Sequence, residues 1–444
     1  TKYSLNRVPG GRTFQARERF VVRPDDHWTL SGNVGYYFRQ RDFDPGERNR
    51  YRDFAGGVKA DWNGHNGRRG EVGYPFDQYD KSDYYVATGL DVRDYSNVQH
   101  TVRALYSTAP LPLWAEGHTL ELTGGGDLAR DYLLTYQFRG DAHRQFTADG
   151  YVQADFHLGG QWEAVATARY DYFSVGHHGS PTTKLTARYR NGAWTLRASY
   201  GQGFRAPTLK EKYMNFFLND IFIIRGHEQL RPEVSHNWHV SADWSKGGTE
   251  VSSSVSYNRV LDRITTAEPT TERDGLSGLP FVDYVNVPRL TVWNVQLSVN
   301  HRRRLGSGTL SGTFQYAFTH EQAPTVGTLT PYMPARPHSA TARLAYDRRF
   351  SPQYAVGVQL SGRFLSALSG REYNSATGAS RTLHYPAYAL LRLALTQQMG
   401  TAVRLNLTAD NLLNYRPHIY YYNAPLTDGL NLSVGMTLDL DRLF

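Results

Sequence analysis

Hydrophobic and polar residues alternate with period two in many separate stretches of the chain. The clearest lies near 430–442. There Leu430, Leu432, Val434, Met436, Leu438 and Leu440 oppose Asn431, Ser433, Gly435, Thr437, Asp439 and Asp441. A helix would bring Asp439 or Asp441 among the leucines, so the pattern predicts a strand of about eleven residues. The same alternation predicts strands at 402–411, 193–201, 184–190 and 151–158, with apolar faces such as Trp194, Leu196, Ala198 and Tyr200. A soluble β-sandwich alternates in this way too.

The connections separate the two architectures. Tight turns are expected at 398–401, 348–352, 305–308 and 245–248, where glycine and polar residues cluster. Between them fall long connections: one holding Pro417 and Pro425, then 365–382, 321–335, 267–280 and 203–233. Short and long connections thus take turns, which suits an outer-membrane barrel with tight periplasmic turns and long external loops. Towards the start the pattern continues with turns at 190–193 and 159–160, and loops near 174–181, 131–145, 80–96 and 40–51. The fold class expected is all-β, a transmembrane antiparallel β-barrel with about 19 readable strands, the first near 11–22. An odd number does not close a single-chain antiparallel barrel. The expectation is therefore that a few N-terminal strands are missing, or that one pair has been merged.

Composition narrows the reading further. Tyr 31, Trp 8 and Phe 20 make aromatics 13% of 444 residues, enough for girdles at two membrane interfaces. Mean hydropathy is −0.55. No run of eighteen apolar residues occurs, so a helical membrane span is excluded. Cysteine is absent, which removes disulfides and thiolate metal sites. Lys+Arg 49 against Asp+Glu 41 gives +8. Those charges alternate with apolar residues instead of forming a compact basic face, so nucleic acid is a poor partner. No Gly-x-Ser-x-Gly nucleophile context appears, and an enzyme is not expected.

At 200–214 the chain reads Tyr-Gly-Gln-Gly-Phe-Arg-Ala-Pro-Thr-Leu-Lys-Glu-Lys-Tyr-Met. This resembles the Phe-Arg-Ala-Pro box of TonB-dependent outer-membrane receptors. Some twenty residues on, haem receptors and more loosely cobalamin receptors carry an Asn-Pro-Asp/Asn-Leu box. Here the place reads Gly226-His227-Glu228-Gln229-Leu230-Arg231-Pro232-Glu233, keeping Leu230 and Pro232-Glu233. Gly150–Asp155, Arg169-Tyr170-Asp171, Pro334–Pro337, Asp410-Asn411-Leu412-Leu413-Asn414 and the terminal Phe444 resemble further traits of the family. The matches span roughly 145–444, and the Bacteroidetes branch is nearest in style.

The resemblance implies a barrel of 22 strands, a plug domain and TonB box outside the covered chain, and a start about three strands into the barrel. It implies active uptake of a large scarce nutrient, powered by the TonB complex of the inner membrane. The transported ligand expected first is haem or cobalamin, with no intrinsic cofactor. A ferric siderophore or a glycan is the alternative, and a passive porin is another. Outer-membrane lipids and a surface lipoprotein are further partners to expect.

Ligand contact or gating is expected from Phe204, Arg205, Ala206, Pro207, Tyr213, Met214, His227, Glu228 and Leu230 in the 203–233 loop. His418, Tyr420, Tyr421 and Tyr422 form a second group, whose tyrosines suit a lipid-interface girdle better than a ligand platform. Haem receptors place a histidine ahead of the second box. The stretch from Asn215 to Gly226 holds none, so His227 is a displaced candidate for metal contact. Arg188, Arg190, Arg197, Arg343 and Arg404 share inward faces, where they would pair with plug carboxylates or steer anions.

Overall fold

The computed structural model describes residues 10–138, 142–218, 221–322, 335–374, 379–417, 425 and 427–439. His418 and Tyr420–Tyr422 lie outside the described residues, as does Phe444. The described chain is almost entirely strand, with a 3-10 turn at His65–Gly67 and one short helix at Leu209–Tyr213.

Nineteen strands run eight residues or longer, from Gly10–Val22 to Asn431–Leu438. Short strands are Leu111–Pro112, Asn215–Leu218, Phe222–Arg225, Leu368–Asn374 and Ala379–Tyr385. Twenty-two strands belong to one sheet, and Leu368–Asn374 pairs with Ala379–Tyr385 in a separate hairpin. The described pairings in the large sheet are antiparallel apart from a short parallel contact in which Ile223, Ile224 and Arg225 face Phe281, Val282 and Asp283. The predicted strands are all present, at Val403–Asp410, Trp194–Arg205, His178–Asn191 and His143–Leu158.

Alternation in sequence becomes two faces of opposite character. Along Asn431–Leu438, Leu432, Val434, Met436 and Leu438 all stand exposed, Val434 by 74%. Val152, Leu185, Trp194 and Leu196 repeat this on their strands. Each large apolar side chain left in water forgoes about 1.5–3 kcal/mol, so rows of them mark a surface solvated by lipid.

Two compact units divide the chain. One comprises Thr1–Thr186, Gly201–Ser235 and Leu261–Pro288; the other comprises Ala187–Tyr200, His236–Val260 and Arg289–Phe444. In the first, cross-strand ion pairs lace the polar face: Arg103 with Asp127, Arg169 with Asp149 and Asp171, and Lys59 with Asp61 and Glu71. In the second, Arg197 pairs with Asp243, and Arg404 donates to Gln398 Oε1 at 3.0 Å. Those two inward arginines thus find partners within the barrel strands themselves.

The turns at Gly192, Gly247–Gly248, Gly306 and Gly400 fall where expected, each glycine at positive φ. The loops expected near 40–51 and 80–96 are largely strand instead. Trp28–Asp44 and Glu47–Asn63 meet in a two-residue turn, and Arg69–Tyr85 and Leu90–Ser107 are joined by four residues. Arginine and aspartate in these stretches read as loop, but the ladder continues through them beyond the apolar band. At the other end, residues 108–118 make a longer connection that carries the short strand Leu111–Pro112. Strict alternation of connection lengths therefore belongs to the later strands only.

Asp410-Asn411-Leu412-Leu413-Asn414 forms a corner built by asparagine. Asn411 and Asn414 adopt positive φ, which asparagine tolerates better than other non-glycine residues. Buried Asn411 donates to Tyr415 O and Thr427 Oγ1 and accepts from Tyr415 N. Asn414 Oδ1 accepts from Leu430 N at 3.0 Å, which sets the entry to the final strand.

Candidate functional site

The strand Trp194–Arg205 stops where Pro207 would interrupt the ladder for want of an N–H. Ala206 and Pro207 are buried, and Phe204 lies 5.7 Å from the Phe173 ring, centroid to centroid. Thr208 then caps the helix Leu209–Tyr213 in a reciprocal capping box: its hydroxyl accepts from Glu211 N, and the Glu211 carboxylate accepts from Thr208 N. So short a helix is marginal in water. It is held by Leu209, which packs on Leu133 and Phe138, and by Lys210, whose ammonium sits 5.2 Å from the Tyr95 ring centre.

Arg205 ties this helix to the next strand. One guanidinium nitrogen donates to both Glu211 carboxylate oxygens at 2.9 Å, and another donates to Glu233 Oε1 at 2.7 Å. Glu233 Oε1 also accepts from Ile264 N at 2.6 Å. The arginine of the box thus ties two carboxylates of a protein corner together. Leu230 belongs to the same framework. It is 1% exposed, among the most deeply buried side chains described, so it is a packing residue and not the ligand contact expected. Beside it, Asn286 grips the backbone of Arg231 by accepting from its N–H and donating to its carbonyl.

The rest of the connection folds back on the helix. Asn215–Leu218 pairs with Phe222–Arg225, and Asn215 N donates to Gln137 O. Arg225 holds the second of these strands in place: it makes a forked pair with Asp283, reaches Glu272, and lies 3.9 Å from the Phe281 ring centre. Gly226 passes so close to the helix that a β-carbon there would stand 2.6 Å from the Lys212 carbonyl carbon. His227 N then donates to Glu211 O at 2.9 Å, and Lys212 Nζ donates to Glu228 O at 2.6 Å.

These contacts leave a cleft of about 790 Å³ lined by His143, Lys212, Tyr213, Met214, Asn215, Arg225, Gly226, His227, Glu228 and Gln229. Its floor is an aromatic pair: His143 stacks on Tyr213 at 3.8 Å with the rings 5° from parallel. Met214 and Lys212 are buried beside it, whereas His227, Glu228 and Gln229 are exposed on its rim. Burial pushes the Lys212 ammonium pKa down and the Tyr213 phenol pKa up. Of the candidates, Tyr213, Met214, His227 and Glu228 line the cleft together; Phe204, Arg205, Ala206, Pro207 and Leu230 are not among its lining. His143 and Arg225 carried no sequence signal. They reach the cleft through pairings with distant segments, which no local motif announces. Among the described residues no group of three or more His, Cys, Asp or Glu is placed to hold a metal ion.

The model of the "TonB dependent receptor-like, beta-barrel" family matches residues 3–412. The chain belongs to that family. It is an outer-membrane receptor barrel, and TonB is the partner its membership implies. No curated protein matches it in sequence. Its fold is that of the siderophore receptor PirA from Pseudomonas aeruginosa (TM-score 0.65, 15% identity), covering 97% of this chain and 71% of that one. The ferric enterobactin receptor PfeA gives TM-score 0.63 at 14% identity, covering 99% and 72%. The outer membrane transporter YddB from Escherichia coli gives 0.67 at 8%, covering 96% and 67%. At such identities the likeness concerns the barrel alone. The family is confirmed, while the haem or cobalamin style and the Bacteroidetes leaning gain no support from these receptor neighbours.

Proposed function

We propose that the receptor takes up a ferric siderophore, bound first in the cleft between His143 and Gln229. The observation that carries this reading is the stacked His143–Tyr213 pair in a cleft whose lining also includes Lys212 and Arg225. A flat aromatic floor with cations beside it suits an anionic chelate bearing aromatic or carboxylate groups. A cleft of about 790 Å³ falls in the range that holds a ligand of drug size. The siderophore and enterobactin receptors among the structural neighbours favour the same class. Entry would then require a plug domain and TonB box from the rest of the receptor, and a surface lipoprotein would act outside the barrel.

A metal tetrapyrrole is the second reading, because His227, His143 and Met214 share the cleft and each offers a donor to a haem or cobalamin metal. Titration of the full receptor with ferric catecholate, ferric hydroxamate, haem and cobalamin separates the two. Binding of a ferric siderophore, weakened by Tyr213→Ala, is expected. Tight haem binding with a shifted Soret band and no siderophore affinity would transfer the cleft to the tetrapyrrole.

A further inference from the structure

Lysine is rare in this chain, with seven residues, of which Lys2 lies outside the described ones. Lys59 is held by Asp61 and Glu71, and Lys81 by Asp94. Lys184 and Lys246 stand exposed, and Lys210 lies over the Tyr95 ring. Lys212 differs from all of these. It is 5% exposed, and among the described residues the one polar partner of its Nζ is the Glu228 carbonyl oxygen, 2.6 Å away. Lysine is almost never fully buried unless its charge is paired. Here the acceptor is a neutral dipole, which satisfies one N–H and balances no charge.

The fold pins this amine in place. The capping box and Arg205 fix the helix Leu209–Tyr213 that carries Lys212. Gly226 brings the returning chain against the Lys212 carbonyl group, and His227 N bonds to Glu211 O. Backbone contacts thus deliver Glu228 O to the amine. Lys212 and Glu228 both line the cleft that holds the stacked His143 and Tyr213 rings. Burial drives the ammonium towards its neutral form, against the weaker pull of the Glu228 carboxylate. A neutral amine spends one N–H on the carbonyl and keeps its lone pair for chemistry. Amines desolvated in this way are the ones that form imines with carbonyl compounds.

From this geometry we propose that Lys212 is a covalent capture site for aromatic aldehydes, the carbonyl carbon meeting Nζ and the ring lying against the His143–Tyr213 pair. The Nζ lone pair forms the C–N bond while the C=O π pair moves to oxygen. One nitrogen proton passes through water to that oxygen, giving a carbinolamine. Loss of the hydroxyl with the second nitrogen proton, as water, leaves the C=N bond. No oxidant or reductant is consumed. The capture rests on the cleft being open to ligands, as the siderophore proposal does, but not on what the cargo is.

The test treats the full receptor in detergent with pyridoxal and then with cyanoborohydride, whose hydride reduces the imine to a stable secondary amine. Peptide mass mapping reads the adduct at each lysine. Lys212 is expected to be labelled on the order of tenfold faster than Lys210, its neighbour on the same helix, which is the effect one ring contact supplies. Propanal, which lacks the ring, should show no such preference. Lys212→Arg keeps a donor for Glu228 O but cannot form the imine, so its map should lack only the Lys212 adduct, at unchanged heat-modifiable gel mobility. Equal labelling of Lys210 and Lys212 by pyridoxal overturns the proposal, and so does a preference for Lys212 that propanal shares. Labelling of Lys212 only after unfolding overturns it as well. Should the variant not fold, the two aldehydes on wild type still decide. Ferric siderophore binding is measured on the same samples. A Lys212 adduct without siderophore binding supports the capture site alone, whereas siderophore binding without the adduct removes the capture site and spares the uptake reading.

Discussion

The Arg205 corner and the His143–Tyr213 cleft are both built around one long connection, residues 206–232, yet their polar groups are disposed differently. At the corner, Arg205 has its guanidinium divided between Glu211 and Glu233, and Leu230 and Asn286 close the remaining gaps. In the cleft, the rim residues His227, Glu228 and Gln229 stand exposed around a stacked floor. The box by which the sequence resembles its family therefore holds the connection in shape. The less familiar residues that follow it line the open cleft. Resemblance located the machinery of placement, and the proposed specificity residues lie some twenty residues further on.

Breaking the corner should have the largest effect. Arg205→Ala leaves Glu211 and the half-buried Glu233 without their common cation. Because Arg205 is partly exposed, the loss is discounted to about 2 kcal/mol, below the range for a fully buried pair. The helix should detach, uptake should be abolished, and proteolysis in whole cells should cut within 206–232 where wild type resists. Arg205→Lys cannot fork between both carboxylates and should recover only part of the protection. Full uptake by Arg205→Ala would show that the corner is dispensable.

Gly226→Ala comes next. Its methyl group would meet the backbone of Lys212 and Tyr213, with only 2.6–2.7 Å available. Separating the two walls should cost about 1–3 kcal/mol, as overpacking does elsewhere. Ligand affinity should fall with it while the barrel, read by gel mobility, stays folded.

Tyr213→Ala tests the cleft with less disturbance. It removes the ring stacked on His143, and aromatic pairs contribute about 0.5–1.5 kcal/mol beyond burial. Affinity for the ferric siderophore is expected to drop roughly tenfold, and Tyr213→Phe should restore most of it. If Tyr213→Ala binds as wild type does, the floor is not a ligand platform.

What could be read from the sequence follows from the range of the interactions. Period-two alternation is local, so Val403–Asp410 and Trp194–Arg205 were visible without any partner strand. Asp410–Asn414 was visible as a motif, and Asn411 bonds to a neighbour in the chain at Tyr415. Arg205 was visible, but its role was not, since Glu233 lies 28 residues away and Ile264 farther still. His143 and Arg225 were silent for the same reason: the contacts that place them run to Tyr213 and Asp283. The arginine-bearing strand ends near 40–51 and 80–96 misled because polar residues there lie on a ladder that outruns the apolar band.

His227→Ala should have the smallest effect, and it separates the two ligand readings most sharply. The side chain is exposed on the rim, and its place in the connection is fixed by its backbone, through Glu211 O and Leu230 N. Truncating it removes no buried contact, so stability should move by no more than about 0.5 kcal/mol. A siderophore held by the Tyr213 floor and by Lys212 and Arg225 should lose less than about threefold in affinity, because that loss corresponds to well under 1 kcal/mol. A tetrapyrrole held through its metal would respond differently: losing an axial nitrogen would change its absorption spectrum as well as its affinity. Affinity and spectrum together therefore decide whether His227 is a bystander on the rim or the ligand that defines the cleft.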